Sequence, residues 1–217
     1  MNTNLTEVVF IIDESGSMYP FVSDTIGGYN TFLRSQKEVE GEANITTVFF
    51  SDKLRTFHDR KNLKDVRELR HDNYRPFGCT SLYDAVGSII DHIGSVLAAT
   101  PEDQRPGHVI FVIITDGYEN SSREYTQAMV KNRIEHQREK YSWEFVFLGA
   151  DMDAEHEAES IGINRDFAAT YSATSVGTTS VYTSMDTLVK EVRGSYLTGC
   201  IDNSHGKLSD EWKKSIQ

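Results

Sequence analysis

The stretch VVFIIDESGS, residues 8–17, joins an uninterrupted apolar run to a polar loop that contains a glycine. An apolar run without alternation, rich in β-branched residues, is typical of a strand buried on both faces of a parallel sheet. The stretch VIFVIITDG, residues 109–117, has the same design, and residues 46–50 and 143–148 are weaker versions of it. The sequence therefore predicts a central, mostly parallel sheet whose strands end in polar loops.

Helical patterns separate these predicted strands. Apolar residues recur at steps of three and four in residues 22–33 and 82–96, as in amphipathic helices that cover a sheet. Alternation of strands and helices with right-handed crossovers predicts a doubly wound α/β sheet. Residues 51–53 are too few for a crossover helix, so we expect a hairpin there and an antiparallel edge strand near residues 54–58. For Gly27 and Gly28, within the first helix, we expect a close approach to a neighbouring strand.

Length and composition limit the classes of protein to which the chain can belong. The 217 residues carry a net charge of −11 and include two cysteines, and 38% of the chain is hydrophobic. We expect one domain over residues 1–200, followed by a polar tail over residues 201–217. The negative charge disfavours binding to nucleic acid or to an anionic membrane. Neither an export signal nor a membrane-spanning stretch is evident, so we expect a cytoplasmic protein.

Candidate ligands for a cation follow the two strongest predicted strands. In open α/β sheets, sites form beyond the carboxyl ends of the strands, where the strand order reverses. Those loops, and a third loop before the helix that begins near residue 82, hold Asp13, Ser15, Ser17, Thr80 and Asp116. All five offer hard oxygen ligands, which suit Mg²⁺, Mn²⁺ or Ca²⁺ better than zinc or copper. We expect the first loop to be extended, with its alternate side chains pointing the same way.

Together, Asp13-x-Ser15-x-Ser17 after a buried strand, Thr80 before a helix, and Asp116-Gly117 after another strand resemble a known site. They are similar to the metal-ion-dependent adhesion site of von Willebrand factor A domains, and the resemblance covers roughly residues 5–197. Residues 24–30, 115–123 and 143–150 also resemble small stand-alone prokaryotic and phage proteins of this type.

The resemblance implies a function and roles for the five residues. It implies that the two serines and the threonine ligate Mg²⁺, with Mn²⁺ or Ca²⁺ as alternatives, while Asp13 and Asp116 bind directly or through water. It implies that the vacant position takes an Asp or Glu of a partner protein, and by analogy that the partner is an AAA+ ATPase. It also raises the possibility that the last helix, near residues 184–197, moves with metal coordination.

Two other functions stay open. Asp13 sits where the nucleophile of a haloacid-dehalogenase-type phosphatase would sit, which gives a Mg²⁺-dependent hydrolase as an alternative. That chemistry needs a second Asp two residues on, and this chain has Ser15 there. The third candidate is an interaction scaffold that needs no metal.

For two further residues, Cys79 and Asp151, we prefer a structural role to a functional one. We interpret Cys79 as an inert buried thiol, against the alternative of an oxidation-sensitive one beside Thr80. We expect Asp151 to cap the following helix rather than to support the site.

Overall fold

A computed structural model describes residues 1–197 and 210–216 of the chain. In this part of the chain, six strands alternate with five α-helices, apart from the direct connection between the second and third strands. The elements are β1 (Asn2–Asp13), α1 (Val22–Lys37), β2 (Glu42–Phe50), β3 (Leu54–Asn62), α2 (Leu82–Ala99), β4 (Pro106–Thr115), α3 (Gln127–Tyr141), β5 (Glu144–Ala150), α4 (Ala154–Ser160), β6 (Ala168–Tyr171) and α5 (Ser175–Leu197).

The six strands form one sheet in the order β3-β2-β1-β4-β5-β6. Every neighbouring pair is parallel except β2 and β3, which form the predicted hairpin with β3 at the edge. The doubly wound α/β prediction is confirmed. The strand order reverses between β1 and β4, where Ile12 pairs with Ile114, so the carboxyl ends of these two strands lie side by side.

The uninterrupted apolar runs are explained by a core on each face of the sheet. Val8, Phe10 and Ile12 pack on the face covered by α1 and α5, while Val9 and Ile11 pack on the face covered by α2 and α3. All five are at most 1% exposed. Because successive residues of a strand point to opposite faces, a strand covered on both faces has no polar position to alternate with.

The glycine pair in α1 does not approach a strand. A Cβ added to Gly28 would lie 2.7 Å from Cγ of Tyr182 in α5, whereas a Cβ added to Gly27 would meet nothing within 4 Å. The expectation of a close approach to a strand is therefore wrong for both glycines. The contact is made between two helices, and only Gly28 takes part in it.

The end of the chain contributes to the core. Trp212, within the segment expected to be a polar tail, is 1% exposed and packs with the core on the face of α1 and α5. Residues 201–209 and 217 of that expected tail lie outside the described residues, as do residues 198–200. Across residues 1–197 and 210–216, no helix is long and apolar enough to cross a membrane.

Candidate metal centre

Asp13, the last residue of β1, is fully buried at the carboxyl edge of the sheet. Its Oδ1 accepts a hydrogen bond from the Ser15 amide at 2.7 Å, and its Oδ2 accepts one from the Thr115 hydroxyl at 2.6 Å. Burial raises the pKa of the Asp13 carboxyl to about 6, although the hydrogen bonds from Ser15 and Thr115 oppose that shift. A positive charge placed beside this buried carboxylate would stabilise its ionised form.

Ser15 and Ser17 connect the loop after β1 to the loop after β4. The Ser17 hydroxyl donates to Oδ1 of Asp116 at 2.7 Å, and the hydroxyl oxygens of Ser15 and Ser17 lie 3.1 Å apart. Ser15 has an extended backbone, but Gly16–Phe21 form a 3-10 helix. The expected extended loop is therefore wrong beyond Ser15, and a helical turn brings Ser17 to Asp116.

Thr80 reaches the site from the segment that precedes α2. Its amide donates to Oδ1 of Asn120 at 2.9 Å, and its carbonyl accepts from the Asn120 amide at 3.0 Å. A Cβ added to Gly117 would lie 3.2 Å from Oγ1 of Thr80. The Thr80 hydroxyl therefore lies beside Gly117, the residue that follows Asp116. Burial raises the pKa of the Asp116 carboxyl, and the hydrogen bond from Ser17 opposes that shift.

The donor set fits a hard divalent cation. In octahedral coordination of Mg²⁺, neighbouring ligand oxygens are separated by about 3 Å. The spacings of 3.1 Å between the serine oxygens and 2.7 Å between Ser17 and Asp116 already match such edges. Among the described residues, no group of three or more His, Cys, Asp or Glu could hold a metal ion. The candidate centre therefore depends on hydroxyl oxygens as well as on its two carboxylates.

Glu14 fixes the position of the first loop, a role that the sequence does not reveal. Its Oε1 accepts hydrogen bonds from the Arg55 guanidinium and from the Arg75 amide, both at 2.6 Å. The Tyr74 hydroxyl donates to the carbonyl of Asp13 at 2.6 Å. These contacts join β3 and the long segment after it to the end of β1. No spacing rule signals them, because the partners are about 40 and 60 residues apart.

A second brace holds the loop after β4 against the start of α2. Oε2 of Glu119 accepts from the Tyr83 amide at 2.9 Å, while its Oε1 accepts from the amides of Ser121 and Ser122. The Asp84 carboxylate accepts from the backbone amides of residues 123–125. These hydrogen bonds link the start of α2, which follows Thr80, to the segment that follows Asp116.

Two smaller expectations are wrong. Cys79 is exposed, not buried, and its amide donates to Oδ1 of the exposed Asp52 at 3.0 Å. Asp151 does not cap α4: the cap is Asp153, whose Oδ1 accepts from the His156 amide at 3.0 Å. The Asp151 carboxylate instead accepts from the Ala173 amide at 3.1 Å.

Comparison with known proteins identifies the fold. No family model matches the sequence, and no curated protein matches it. Solved structures do match. A von Willebrand factor type A protein from Catenulispora acidiphila gives a TM-score of 0.56 at 16% identity, over 89% of this chain and 43% of that one.

Two further solved structures that match are described with a bound metal. Proximal thread matrix protein 1 from the mussel byssus, described with a zinc-occupied MIDAS motif, gives a TM-score of 0.54 at 14% identity, over 92% of this chain and 47% of that one. The manganese-loaded TRAP protein of Plasmodium vivax gives 0.53 at 14% identity, over 79% of this chain and 70% of that one.

These likenesses define the class of fold. The chain has the fold of a von Willebrand factor type A domain, and it spans about half the length of the mussel protein. At identities of 13–16%, the likeness shows the fold alone.

Proposed function

We propose that this domain binds a divalent cation at the carboxyl edge of its sheet and uses it to hold a carboxylate of a partner protein. The observation that carries the proposal is the hydrogen bond between Ser17 and Asp116, which joins the loops after β1 and β4 into one all-oxygen site. Two solved structures of the same fold are described with zinc or manganese, which supports a divalent metal here.

The five candidate ligands would contribute two kinds of oxygen to the cation. Ser15, Ser17 and Thr80 would offer hydroxyl oxygens to the cation, and Asp13 and Asp116 would offer carboxylate oxygens directly or through water. When bound, the cation supplies a positive charge that accepts one further anionic oxygen from outside. We expect Mg²⁺ first, with Mn²⁺ or Ca²⁺ as alternatives, because hard oxygen ligands suit all three.

The alternative of a phosphatase that uses Asp13 as nucleophile gains little support. Both carboxylate oxygens of Asp13 already accept hydrogen bonds, from Ser15 and Thr115. None of the ion pairs within residues 1–197 and 210–216 includes Asp13, so no lysine is paired with it there. A metal-independent scaffold stays the third candidate, and the metal titration below decides it.

Calorimetric titration with Mg²⁺ and with Mn²⁺ tests the cation site. We expect Ser17→Ala to weaken binding by about 10-fold or more, since it removes a ligand and the link to Asp116. Ser95→Ala, at an exposed position of α2, is the matched control and should bind like the wild type. Absence of binding to the wild type, or equal binding by Ser17→Ala, would refute the proposal. Turnover of a phosphatase substrate that Asp13→Asn abolishes would favour the hydrolase.

The partner and the location of the protein are further proposals. An AAA+ ATPase in the cytoplasm is the partner that the family resemblance favours. Affinity purification from the source cell, washed with Mg²⁺ or with EDTA, tests both the partner and its dependence on metal. A partner retained equally well in EDTA would support the metal-independent scaffold instead.

A further inference from the structure

Exposed aromatic side chains stand on each of the three loops that carry the candidate ligands. Tyr19 follows Ser17 by two residues and is 73% exposed, and Tyr118 follows Asp116 by two residues and is 53% exposed. Phe77 precedes Thr80 by three residues and is 77% exposed. We call these three residues the aromatic rim.

Backbone contacts make the three loops one surface. The Phe77 amide donates to the carbonyl of Glu14 at 2.8 Å, and the Gly16 amide donates to the carbonyl of Gly78 at 3.1 Å. The Asn120 amide donates to the carbonyl of Thr80 at 3.0 Å, which ties the loop of Tyr118 to the same segment. The three residues of the aromatic rim therefore lie on connected loops that also carry the candidate ligands, and they are not scattered over the molecule.

The distribution of exposed aromatic residues is uneven. Among the side chains that the structure describes, one other large aromatic residue is exposed, Tyr141, at the end of α3 and so at the opposite edge of the sheet. Within the described chain, no aromatic pairing involves Tyr19, Phe77 or Tyr118. Exposed apolar surface concentrated around a polar site is typical of protein interfaces, where aromatic residues supply much of the binding energy.

Positive charge borders the same surface. Arg75, two residues before Phe77, is exposed, and so are Lys53 and Asp52 in the turn between β2 and β3, which leaves one positive charge in excess. That turn contacts the segment before α2, since the Cys79 amide donates to Asp52. An acidic partner segment would therefore meet cations beside the rim as well as the metal.

We propose that the aromatic rim is a docking surface for a protein segment in which an Asp or Glu is flanked by apolar side chains. The inference rests on the proposed function, because it assigns the acidic residue to the cation. It adds a requirement that the cation alone does not impose, namely apolar neighbours that pack on Tyr19, Phe77 and Tyr118. Packing of these neighbours would exclude water around the carboxylate and strengthen its attraction to the cation.

Two matched peptides test this requirement at saturating Mg²⁺ for each protein variant. The probes are blocked pentapeptides, Gly-Leu-Asp-Leu-Gly and Gly-Ser-Asp-Ser-Gly, and binding is followed by NMR titration. We expect wild-type protein to bind the leucine peptide about 10-fold more tightly than the serine peptide. The triple variant Tyr19→Ser, Phe77→Ser, Tyr118→Ser should lose this preference. Tyr141→Ser, the same kind of change at one exposed aromatic residue of the opposite edge, should keep it.

The outcomes separate the rim from the cation site. Equal binding of both peptides by the wild type, or a preference that survives in the triple variant, would overturn the rim. Equal binding of Gly-Leu-Asp-Leu-Gly and Gly-Leu-Asn-Leu-Gly at saturating Mg²⁺, with the preference for leucine over serine retained, would keep the rim but refute carboxylate binding through a metal. Sedimentation tests whether the rim instead binds a second copy of the chain. Dimerisation that requires Mg²⁺ and is lost in the triple variant would overturn the proposal of a segment from another protein.

Discussion

Arg55 on β3 holds Glu14, the residue between Asp13 and Ser15, in a two-pronged hydrogen bond. Its Nη2 lies 2.6 Å from Oε1 of Glu14 and its Nε lies 3.3 Å from Oε2. The Glu14 side chain is 10% exposed and the Arg55 side chain is 44% exposed, so the carboxylate of this ion pair is shielded from water while the guanidinium is partly solvated. The antiparallel edge strand therefore helps to fix the loop that carries two of the candidate ligands.

We predict that Glu14→Gln weakens Mg²⁺ binding by about 10-fold without removing any ligand, because the first loop loses its charge-assisted contact to Arg55. Calorimetric titration measures the effect. Glu68→Gln is the matched control, since Glu68 pairs with Arg34 at the surface with both side chains about half exposed or more. Equal Mg²⁺ affinities for both variants would show that Glu14 does not position the site.

We predict opposite effects of the same substitution at neighbouring positions of α1. Gly28→Ala should destabilise the protein by about 1–3 kcal/mol, because its methyl group would overlap the Tyr182 ring and separate α1 from α5. Gly27→Ala should stabilise it by about 0.5–1 kcal/mol, since its methyl group meets nothing and alanine favours the helix. Urea unfolding of both variants measures this, and a loss of stability in Gly27→Ala would contradict it.

We predict that stability contributed by His58 is lost as the pH falls from about 6.5 to about 4. His58 is 3% exposed, and burial, together with the positive charges of Lys61 and Arg67, lowers its pKa to about 4. The unfolded chain takes up a proton in this range and the folded chain does not, so acid favours unfolding.

Comparison with a variant isolates this residue from the other titrating groups. The difference in unfolding free energy between wild type and His58→Gln should change by on the order of 3 kcal/mol between pH 7 and pH 4. His136→Gln, at an exposed position of α3, is the control. A difference for His58→Gln that stays constant with pH would disprove the prediction.

We predict that Arg193→Lys destabilises the protein by about 2 kcal/mol, although it conserves the charge. The buried Arg193 guanidinium donates to the carbonyl of Gln36 at 2.8 Å and to those of Val39 and Gly41 at 3.2 and 3.1 Å. A lysine amine has fewer donors and lacks the planar fork, so carbonyls in the last turn of α1 and in the segment after it would lose their partners.

Thermal unfolding measures this change. Arg165→Lys is the control, because Arg165 makes surface ion pairs with Glu155 and Glu159 at a half-exposed position. Equal shifts in Tm for the two variants would argue against a special role for the buried guanidinium.

The sequence predicted the sheet well because both of its faces are covered. Runs such as residues 8–12 and 109–114 have no polar interruption, and runs of that length and composition are typical of strands with a core on each side. The hairpin after Phe50 also followed from the chain itself, since three residues cannot form a crossover. The adjacency of β1 and β4 then placed Asp13 beside Asp116.

The sequence did not predict how the site is held. Ser17 reaches Asp116 through a 3-10 turn, and local propensity gave no reason to prefer that turn to an extended loop. Glu14 and Arg55 are 41 residues apart in the chain, so their pairing depends on the register of β3. Gly28 was misassigned for the same reason, because its partner Tyr182 lies in the last helix. Long-range contacts of this kind leave no local pattern.

The strand order β3-β2-β1-β4-β5-β6 divides the sheet into two halves that are each continuous in sequence. The first half supplies Asp13, Ser15 and Ser17, the second supplies Asp116, and Thr80 lies in the segment that links them. Two fragments cut between residues 65 and 80 would each keep three strands, but neither would keep all five residues. Recovery of cation binding on mixing such fragments would therefore show that the two halves of the sheet have associated correctly.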